Sequence, residues 1–240
     1  MQLRCTTWNV HRAKGSDGQV DPTRVVDVIE RVLAPRNLDI LALQEADGEC
    51  RPHASILDVD RIARITGLTS VHDTALRWGS QSDGFLGTIL FLSPTLTRTH
   101  ADILDLPGHC HRGAVSVETL FGPRPLRIMS THLSLSQPLR IVQMRIIGQY
   151  LSRRPPMQTV LLGDLNEWRP WGGLMFQRHL VGTTLRGPAR RTFPSAWPVL
   201  PLDRVMTDGE GQVQQVSAIS TPATAAASDH LPLEAIVTVP

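Results

Sequence analysis

Apolar residues along this chain come in short runs separated by polar joints, the rhythm of a strand-rich α/β protein. Residues 3–10 read as a strand ending in a polar loop. Asp21-Pro22 has the form of a helix cap followed by proline at the first helical position, where a missing N–H leaves no bond unmade. Val25, Val26, Ile29, Val32 and Leu33 follow at helical spacing, with Pro35 just beyond. Ile40 to Leu43 is wholly apolar after Asp39, the pattern of a strand buried on both faces. Residues 56–65 predict a second helix. Residues 86–92, 114–120 and 126–129 predict strands, the last running into Ser130-Thr131-His132. Residues 136–151 are the best helix candidate, with a serine cap and an early proline. Leu139, Val142, Ile146, Ile147 and Tyr150 lie along one side of it. Thr159-Val160-Leu161-Leu162 repeats the buried-strand pattern, and short strands are expected near 202–206, 213–219 and 233–239.

The 240 residues suit one α/β domain spanning 1–240, and the 41% that are apolar allow a sizeable core without disulfides. Cys5, Cys50 and Cys110 are odd in number and widely spaced, so free thiols in a reducing compartment are expected. No apolar run reaches the length needed to cross a bilayer. The first residues, Met1-Gln2-Leu3-Arg4-Cys5-Thr6, show no charged start followed by an apolar stretch, so the cytoplasm is expected; a monomer is expected as well. The net charge of +2 shows no strong basic excess and leaves nucleic acid a weaker candidate partner. Lys14 is the only lysine. A GC-rich coding bias explains that, although guanidinium groups also suit bidentate phosphate contacts.

Candidate chemistry gathers where apolar strands end. The segments are Trp8-Asn9-Val10-His11, Leu43-Gln44-Glu45, Ser130-Thr131-His132, Gly163-Asp164-Leu165-Asn166 and Ser228-Asp229-His230. Asp203 in Leu202-Asp203-Arg204 and Arg112 in His111-Arg112-Gly113 complete the set. Each alone is a weak signal: an Asp-x-Asn pair is usually a turn, and a single histidine is usually structural. Together they supply hard oxygen ligands, imidazoles, an amide pair and a guanidinium at positions that strands hold rigidly. Asp17, Asp47, Glu49 and Glu167 read as solvated loop charges. His109-Cys110-His111 is too short to close a tetrahedral zinc site, and no second cluster completes it.

This ordered set resembles the endonuclease/exonuclease/phosphatase superfamily. That group includes repair nucleases of the exonuclease III type, pancreatic-type deoxyribonuclease, inositol-phosphate 5-phosphatases and bacterial sphingomyelinases. The resemblance covers essentially the whole chain, with Asp164-Leu165-Asn166 and Ser228-Asp229-His230 its most specific parts. Arg140 and Gln143 open the helix after Thr131-His132, as in many members. The resemblance implies an α/β (α+β) four-layer sandwich, with two mainly antiparallel sheets face to face and helices outside. It also implies hydrolysis of phosphoesters, most often phosphodiesters, at a single-metal-type site that activates water for in-line attack on phosphorus.

Phosphoester hydrolysis needs charge neutralisation, an oriented water, a proton acceptor and help for the leaving oxygen. Glu45 is a hard ligand suited to Mg²⁺ or Mn²⁺, and Asn9 could share that ion through its amide oxygen. By resemblance, Asp164 orients or deprotonates the water and Asn166 positions it. His230 contacts the phosphate with Asp203 fixing its ring, and Asp229 lies near the metal. His132 stabilises charge on the phosphate or leaving group, and Arg112 clamps a non-bridging oxygen.

His132 stands where some DNA-repair members carry tyrosine, which leans away from abasic-site repair. The chain is short for the family and lacks an obvious lysine-rich or aromatic-interleaved insertion. Three readings remain open. The first is a hydrolase of small or lipid-like phosphoesters, which an apolar rim from Trp168, Trp171 and Trp197 would favour. The second is a nuclease without sequence preference, which an arginine stripe would favour. The third is a catalytically inactive phosphate-binding module. Arg190-Arg191-Thr192-Phe193-Pro194 precedes Leu202-Asp203 and is a candidate to face the substrate.

Overall fold

The structure, a computed structural model, describes residues 2–108 and 112–239. The His109-Cys110-His111 segment, considered above for zinc, therefore lies outside the described residues.

In chain order, strand β1 (Gln2–Asn9) leads to helix α1 (Pro22–Val28) and strand β2 (Ile40–Gln44). Helix α2 (Val59–Thr66) and strands β3 (Thr69–Ser70), β4 (Ile89–Leu92), β5 (Leu96–Leu106), β6 (Arg112–Phe121) and β7 (Arg124–His132) follow. Then come helix α3 (Gln137–Arg153), strand β8 (Gln158–Asp164), helix α4 (Arg178–Val181), strands β9 (Asp203–Thr207) and β10 (Gln212–Ala218), helix α5 (Pro222–Ala227) and strand β11 (Leu233–Thr238). One sheet has the order β10-β11-β1-β2-β4-β3 and the other β5-β6-β7-β8-β9. Each contains one parallel pair, β1 with β2 and β7 with β8, among antiparallel neighbours.

Because side chains alternate along a strand, each strand feeds two compartments. Leu3, Cys5, Ile40 and Ala42 from one sheet meet Leu126, Ile128, Val160 and Leu162 from the other in the core between them. On the outer face of the first sheet, Trp8, Leu41 and Leu43 pack with Val25, Ile29 and Leu33 of the first helical segment and Ile62 of α2. On the outer face of the second, Met129 and Leu161 pack with Met144 and Ile147 of α3 and Val181 of α4. Helix, sheet, sheet and helix thus form the four expected layers.

Local differences from the sequence reading have physical causes. The first helix does not stop before Pro35; it passes through a π turn (Ile29–Leu33) and a 3-10 turn (Ala34–Arg36) before Asn37 ends it in the left-handed region. Proline is tolerated there because it falls in the first positions of a new turn. Helix α2 begins later than expected because the Asp58 carboxylate accepts the Arg61 N–H at 2.8 Å. Ser136 stands at the start of α3 but its hydroxyl caps nothing. The buried side of that helix is Arg140, Gln143, Met144, Ile147 and Gly148, not the side containing Val142, which is exposed. Arg140 and Gln143 turn inward because their polar ends satisfy loop backbone, at Ser134, Leu135 and Pro107. Strand β5, unforeseen, is mostly polar, as a sheet edge in solvent allows. Helix α5, also unforeseen, starts with a reciprocal Thr221–Thr224 capping box.

Candidate active site

The inner-facing stripe of each central strand is apolar along most of its length and polar at one end. Leu3 and Cys5 lead to Thr7 and Asn9; Ile40 and Ala42 lead to Gln44; Ile128 leads to Ser130 and His132; Leu162 leads to Asp164. Asn9 lies beside Gln44 in the β1/β2 ladder. In the second sheet His132 lies beside Asp164, and Asp164 beside Asp203. Alternation and register therefore deliver the polar groups to one end of the sandwich. Beneath them Thr7 Oγ1 donates to Gln44 Oε1 at 3.0 Å, and Gln44 Nε2 reaches Ser130 Oγ in the facing sheet at 3.4 Å. This polar floor separates the site from the apolar core.

Asp203 and His230, 27 positions apart in sequence, are hydrogen-bonded, with His230 Nδ1 2.8 Å from Asp203 Oδ2. The Thr192 hydroxyl donates to the same carboxylate oxygen. Phe193 packs on the imidazole at 4.9 Å between ring centroids, and the Trp8 indole N–H donates to the His230 carbonyl at 2.9 Å. Nε2 of His230 is directed at Asp164, 3.7 Å from its Oδ2. Burial opposes charge on this ring, but the Asp203 and Asp164 carboxylates outweigh it and raise the pKa to about 10.

Asp164 is held from both sides. Its Oδ1 accepts the Asn166 backbone N–H at 2.9 Å, an Asx turn, and its Oδ2 accepts the Asn9 side-chain amide at 2.9 Å. Asn166 has φ 51°, a left-handed conformation that asparagine tolerates. Its amide nitrogen donates to the Leu133 carbonyl at 2.9 Å and lies 3.2 Å from His132 Nε2, which accepts from it as a neutral ring. Burial, reinforced by the charges of Arg112, His230 and Arg12, lowers the His132 pKa to about 3 against the attraction of Asp164. The two site histidines thus take opposite charge states at neutral pH. Gly163, at φ 148°, is required because a Cβ there would come within 1.9 Å of the Thr131 carbonyl oxygen.

Glu45 forms the other wall. It follows β2 with φ 52°, a conformation costing a residue with a Cβ about 1–2 kcal/mol, and such strain collects at functional positions. Its carboxylate lies 3.5 Å from the Asn9 amide nitrogen and is paired with the Arg12 guanidinium. Asn9 Oδ1 accepts the His11 backbone N–H at 2.9 Å. Asp229 is half exposed and stands 3.5 Å from His11 Nδ1. Arg112 begins β6 and, among the described residues, forms no ion pair. All nine residues singled out in the sequence line one cavity of about 440 Å³ except Asp203, which supports His230 from behind.

Two acids depart from the solvated reading. Asp47 is buried, its Oδ2 accepts no hydrogen bond and stands 3.8 Å from His53 Nδ1, and burial raises its pKa to about 7. Glu167 is fully buried; Arg169 grips it at 2.7 and 2.8 Å, and Arg140 stands 3.7 Å away. This cluster anchors the loop that carries Asn166. Arg12 and Thr192 are the site residues that sequence reasoning passed over. Arg12 sits in a run of three left-handed residues, His11, Arg12 and Ala13, which no apolar periodicity signals. Thr192 lay in a segment already suspected of facing the site, but a threonine hydroxyl carries no motif.

Asp164, Asp203 and His230 offer ligand atoms within 4.8 Å of one another. In that cluster Asp203 Oδ2 and His230 Nδ1 are already committed to each other and Oδ2 also to a hydroxyl, which leaves Asp203 Oδ1, Asp164 and His230 Nε2. The Glu45 wall suits a hard cation better. It supplies carboxylate oxygen, the second lone pair of the Asn9 carbonyl and the open carboxylate of Asp229, and a cation, the Arg12 guanidinium, already rests on Glu45. Cys5 and Cys50 are free thiols; Cys110 lies outside the described residues. Among the described residues no helix is long and apolar enough to cross a membrane.

Comparison with known proteins gives a consistent picture. A family model described as Endonuclease/Exonuclease/phosphatase family matches residues 6–230. The uncharacterized protein YbhP of Escherichia coli K12 is 30% identical over 117 residues, spanning 47% of this chain and 46% of that protein. The chain thus aligns with about half the length of this curated relative. An endonuclease/exonuclease/phosphatase from Bacteroides vulgatus superposes with TM-score 0.78 at 12% identity, covering all of both chains. D. rerio TDP2, solved with a single-strand DNA product, superposes with TM-score 0.71 at 16% identity over 99% of each chain. At these identities the two structures establish the shared fold.

Proposed function

The chain belongs to the endonuclease/exonuclease/phosphatase family, and on that premise we propose that it is a Mg²⁺- or Mn²⁺-dependent phosphodiesterase acting on a small or lipid-like phosphoester. The observation that carries this reading is the Asp203–His230 pair aimed at Asp164 inside a cavity lined by Arg112 and Glu45. The whole chain would serve as one catalytic domain, monomeric and cytoplasmic, in keeping with its sparse free thiols.

In this mechanism Asp164 holds the attacking water and takes its proton, its two oxygens fixed by Asn9 and Asn166 so that little reorganisation is needed. Cationic His230 donates from Nε2 to a non-bridging phosphate oxygen while Asp203 holds Nδ1–H. Neutral His132, oriented by Asn166, stands near the phosphate or the leaving oxygen. Arg112 offers its planar fork to a second non-bridging oxygen. Glu45, Asn9 and Asp229 would hold the divalent ion, which supplies charge neutralisation on the phosphate.

A nuclease reading is favoured by the likeness to TDP2, solved with a single-strand DNA product. Purified protein with and without Mg²⁺ should be offered bis-p-nitrophenyl phosphate, p-nitrophenyl phosphate, plasmid DNA, single-stranded DNA, RNA and phospholipids. Ion-dependent cleavage of the small diester or a phospholipid, ahead of the nucleic acids, is expected. Preferred cleavage of DNA or RNA would replace the lipid-like reading, and no hydrolysis of any member would overturn both.

A further inference from the structure

Three loops rise around the mouth of the cavity. One follows β7 and carries Leu135; one follows β8 and carries Trp168, Trp171 and Leu174; one precedes β9 and carries Trp197 and Val199. These six residues are exposed, Trp171 to 75% and Trp197 to 77%. Leu135 and Trp168 line the cavity itself. The third loop is a hairpin whose base, Phe193 bridged to Leu200, also lines the cavity, so its tip, with Trp197, projects from the rim. Trp171 lies in the turn closed by Gly172 N–H to Arg169 O at 2.9 Å, beyond the anchored Glu167–Arg169 pair.

Six large apolar side chains left in water on three loops that each contribute to the cavity lining are more than folding explains, because single exposed residues elsewhere on the surface are ordinary. Along the two tryptophan-bearing loops the exposed charge has one sign, while the acids Glu45 and Glu49 lie at the cavity mouth with Leu135, and Asp229 lines the cavity itself. Between Leu165 and Leu202 the only acid is Glu167, which is buried and neutralised by Arg169, whereas Arg190 and Arg191 are exposed beside the hairpin. Indole rings settle at the boundary between lipid head groups and acyl chains, and flanking arginines favour anionic lipid. A single-stranded nucleic acid would stack on the indoles, but it gives no reason for aliphatic Leu135, Leu174 and Val199 to be exposed among them.

We propose that the rim formed by Trp171, Trp197 and their aliphatic neighbours docks the protein on an anionic phospholipid surface, with the cavity facing the head groups. This rests on the phosphodiesterase reading only for its purpose; the docking itself requires no catalysis. Wild-type protein and the Trp171→Ser/Trp197→Ser double variant should be sedimented with phosphatidylcholine vesicles, with and without phosphatidylglycerol. Binding of the wild type to the anionic vesicles, about tenfold weaker in the double variant, is expected. Trp171→Phe/Trp197→Phe should retain part of the binding, and all forms should hydrolyse soluble bis-p-nitrophenyl phosphate equally, since neither tryptophan touches the cavity. No binding by the wild type overturns the proposal. So does binding that added salt abolishes and the serine variant retains, or fluorescence quenching by oligodeoxythymidine without any response to vesicles. Vesicle binding by protein that hydrolyses no soluble diester would instead overturn the catalytic reading and leave the docking intact.

Discussion

The two walls of the cavity are built on opposite principles. On one, Asp203 and Asp164 have 0% and 2% of their side chains exposed, and protein groups fix three of their four oxygens. On the other, Arg12 and Asp229 are 29% and 37% exposed, and the Glu45 carboxylate is matched by the partly exposed Arg12 guanidinium. The first wall is preorganised, its buried groups having little room to relax, as the proposed stabilisation of developing charge requires. The second is accessible to water, as the proposed binding of a hydrated ion requires. On the proposed reading, the contrast separates what is rigid for chemistry from what is open for loading.

Removing the rigid wall should have the largest effect. His230→Ala is expected to lower turnover of a small diester about 1,000- to 10,000-fold with the fold intact by circular dichroism. Asp203→Ala should approach that loss, and the double variant should be little worse, since the pair acts as one unit. Losses that multiply would separate the two residues. On the open wall, Glu45→Ala should weaken Mn²⁺ binding about 100-fold in a titration, with thermal stability nearly unchanged. Equal ion affinity would remove Glu45 from the metal role.

A buried histidine outside both walls is the counterpart of His230, with no carboxylate hydrogen-bonded to its ring. His72 bonds only backbone, its Nδ1 at 2.8 Å from the Leu76 carbonyl and its Nε2 accepting the Leu90 N–H at 3.1 Å. Burial lowers its pKa to about 4. A depressed histidine pKa contributes stability that is present above the unfolded value of about 6.5 and lost as pH falls toward 4. By pH 5 the loss should be about 2 kcal/mol in urea melts, and His72→Gln should flatten that slope. An unchanged slope would show that His72 is not the group responsible. The smallest effect concerns Arg12. Arg12→Met should tighten Mn²⁺ binding only a few-fold, because a partly exposed ion pair is worth little; weaker binding would mean that Arg12 supports the ion rather than competes with it.

Much of this arrangement was legible in the sequence because alternation does two jobs at once. The period-2 stripes that fill the core also aim Asn9, His132 and Asp164 at the same end, so recognising the strands located the site. Asp203 and His230 could be paired only through the family resemblance, since 27 intervening residues carry no local signal. Strand β5 escaped notice because its polar residues face solvent at a sheet edge, where no apolar run is needed. Asp47 and Glu167 were misjudged for the reverse reason: their burial depends on Gly87 and on Arg140 and Arg169, contacts made by folding rather than by sequence neighbours alone. The left-handed backbones at Arg12 and Glu45 were equally invisible, because neither residue type favours that region.

The Gln44 amide that bridges to Ser130 acts as a latch against shear. Apolar contacts are non-directional, so two packed sheets held by them alone have little resistance to sliding over one another. A slip of one residue, about 3.3 Å, would carry the Glu45 wall past Asp164 and spoil the cavity without unfolding anything. The Thr7–Gln44–Ser130 chain is directional and fully buried, so such a slip would strand hydrogen-bonding groups out of reach of water. Alignment of the two halves is thereby enforced one layer below the candidate site, by side chains that do not line its cavity.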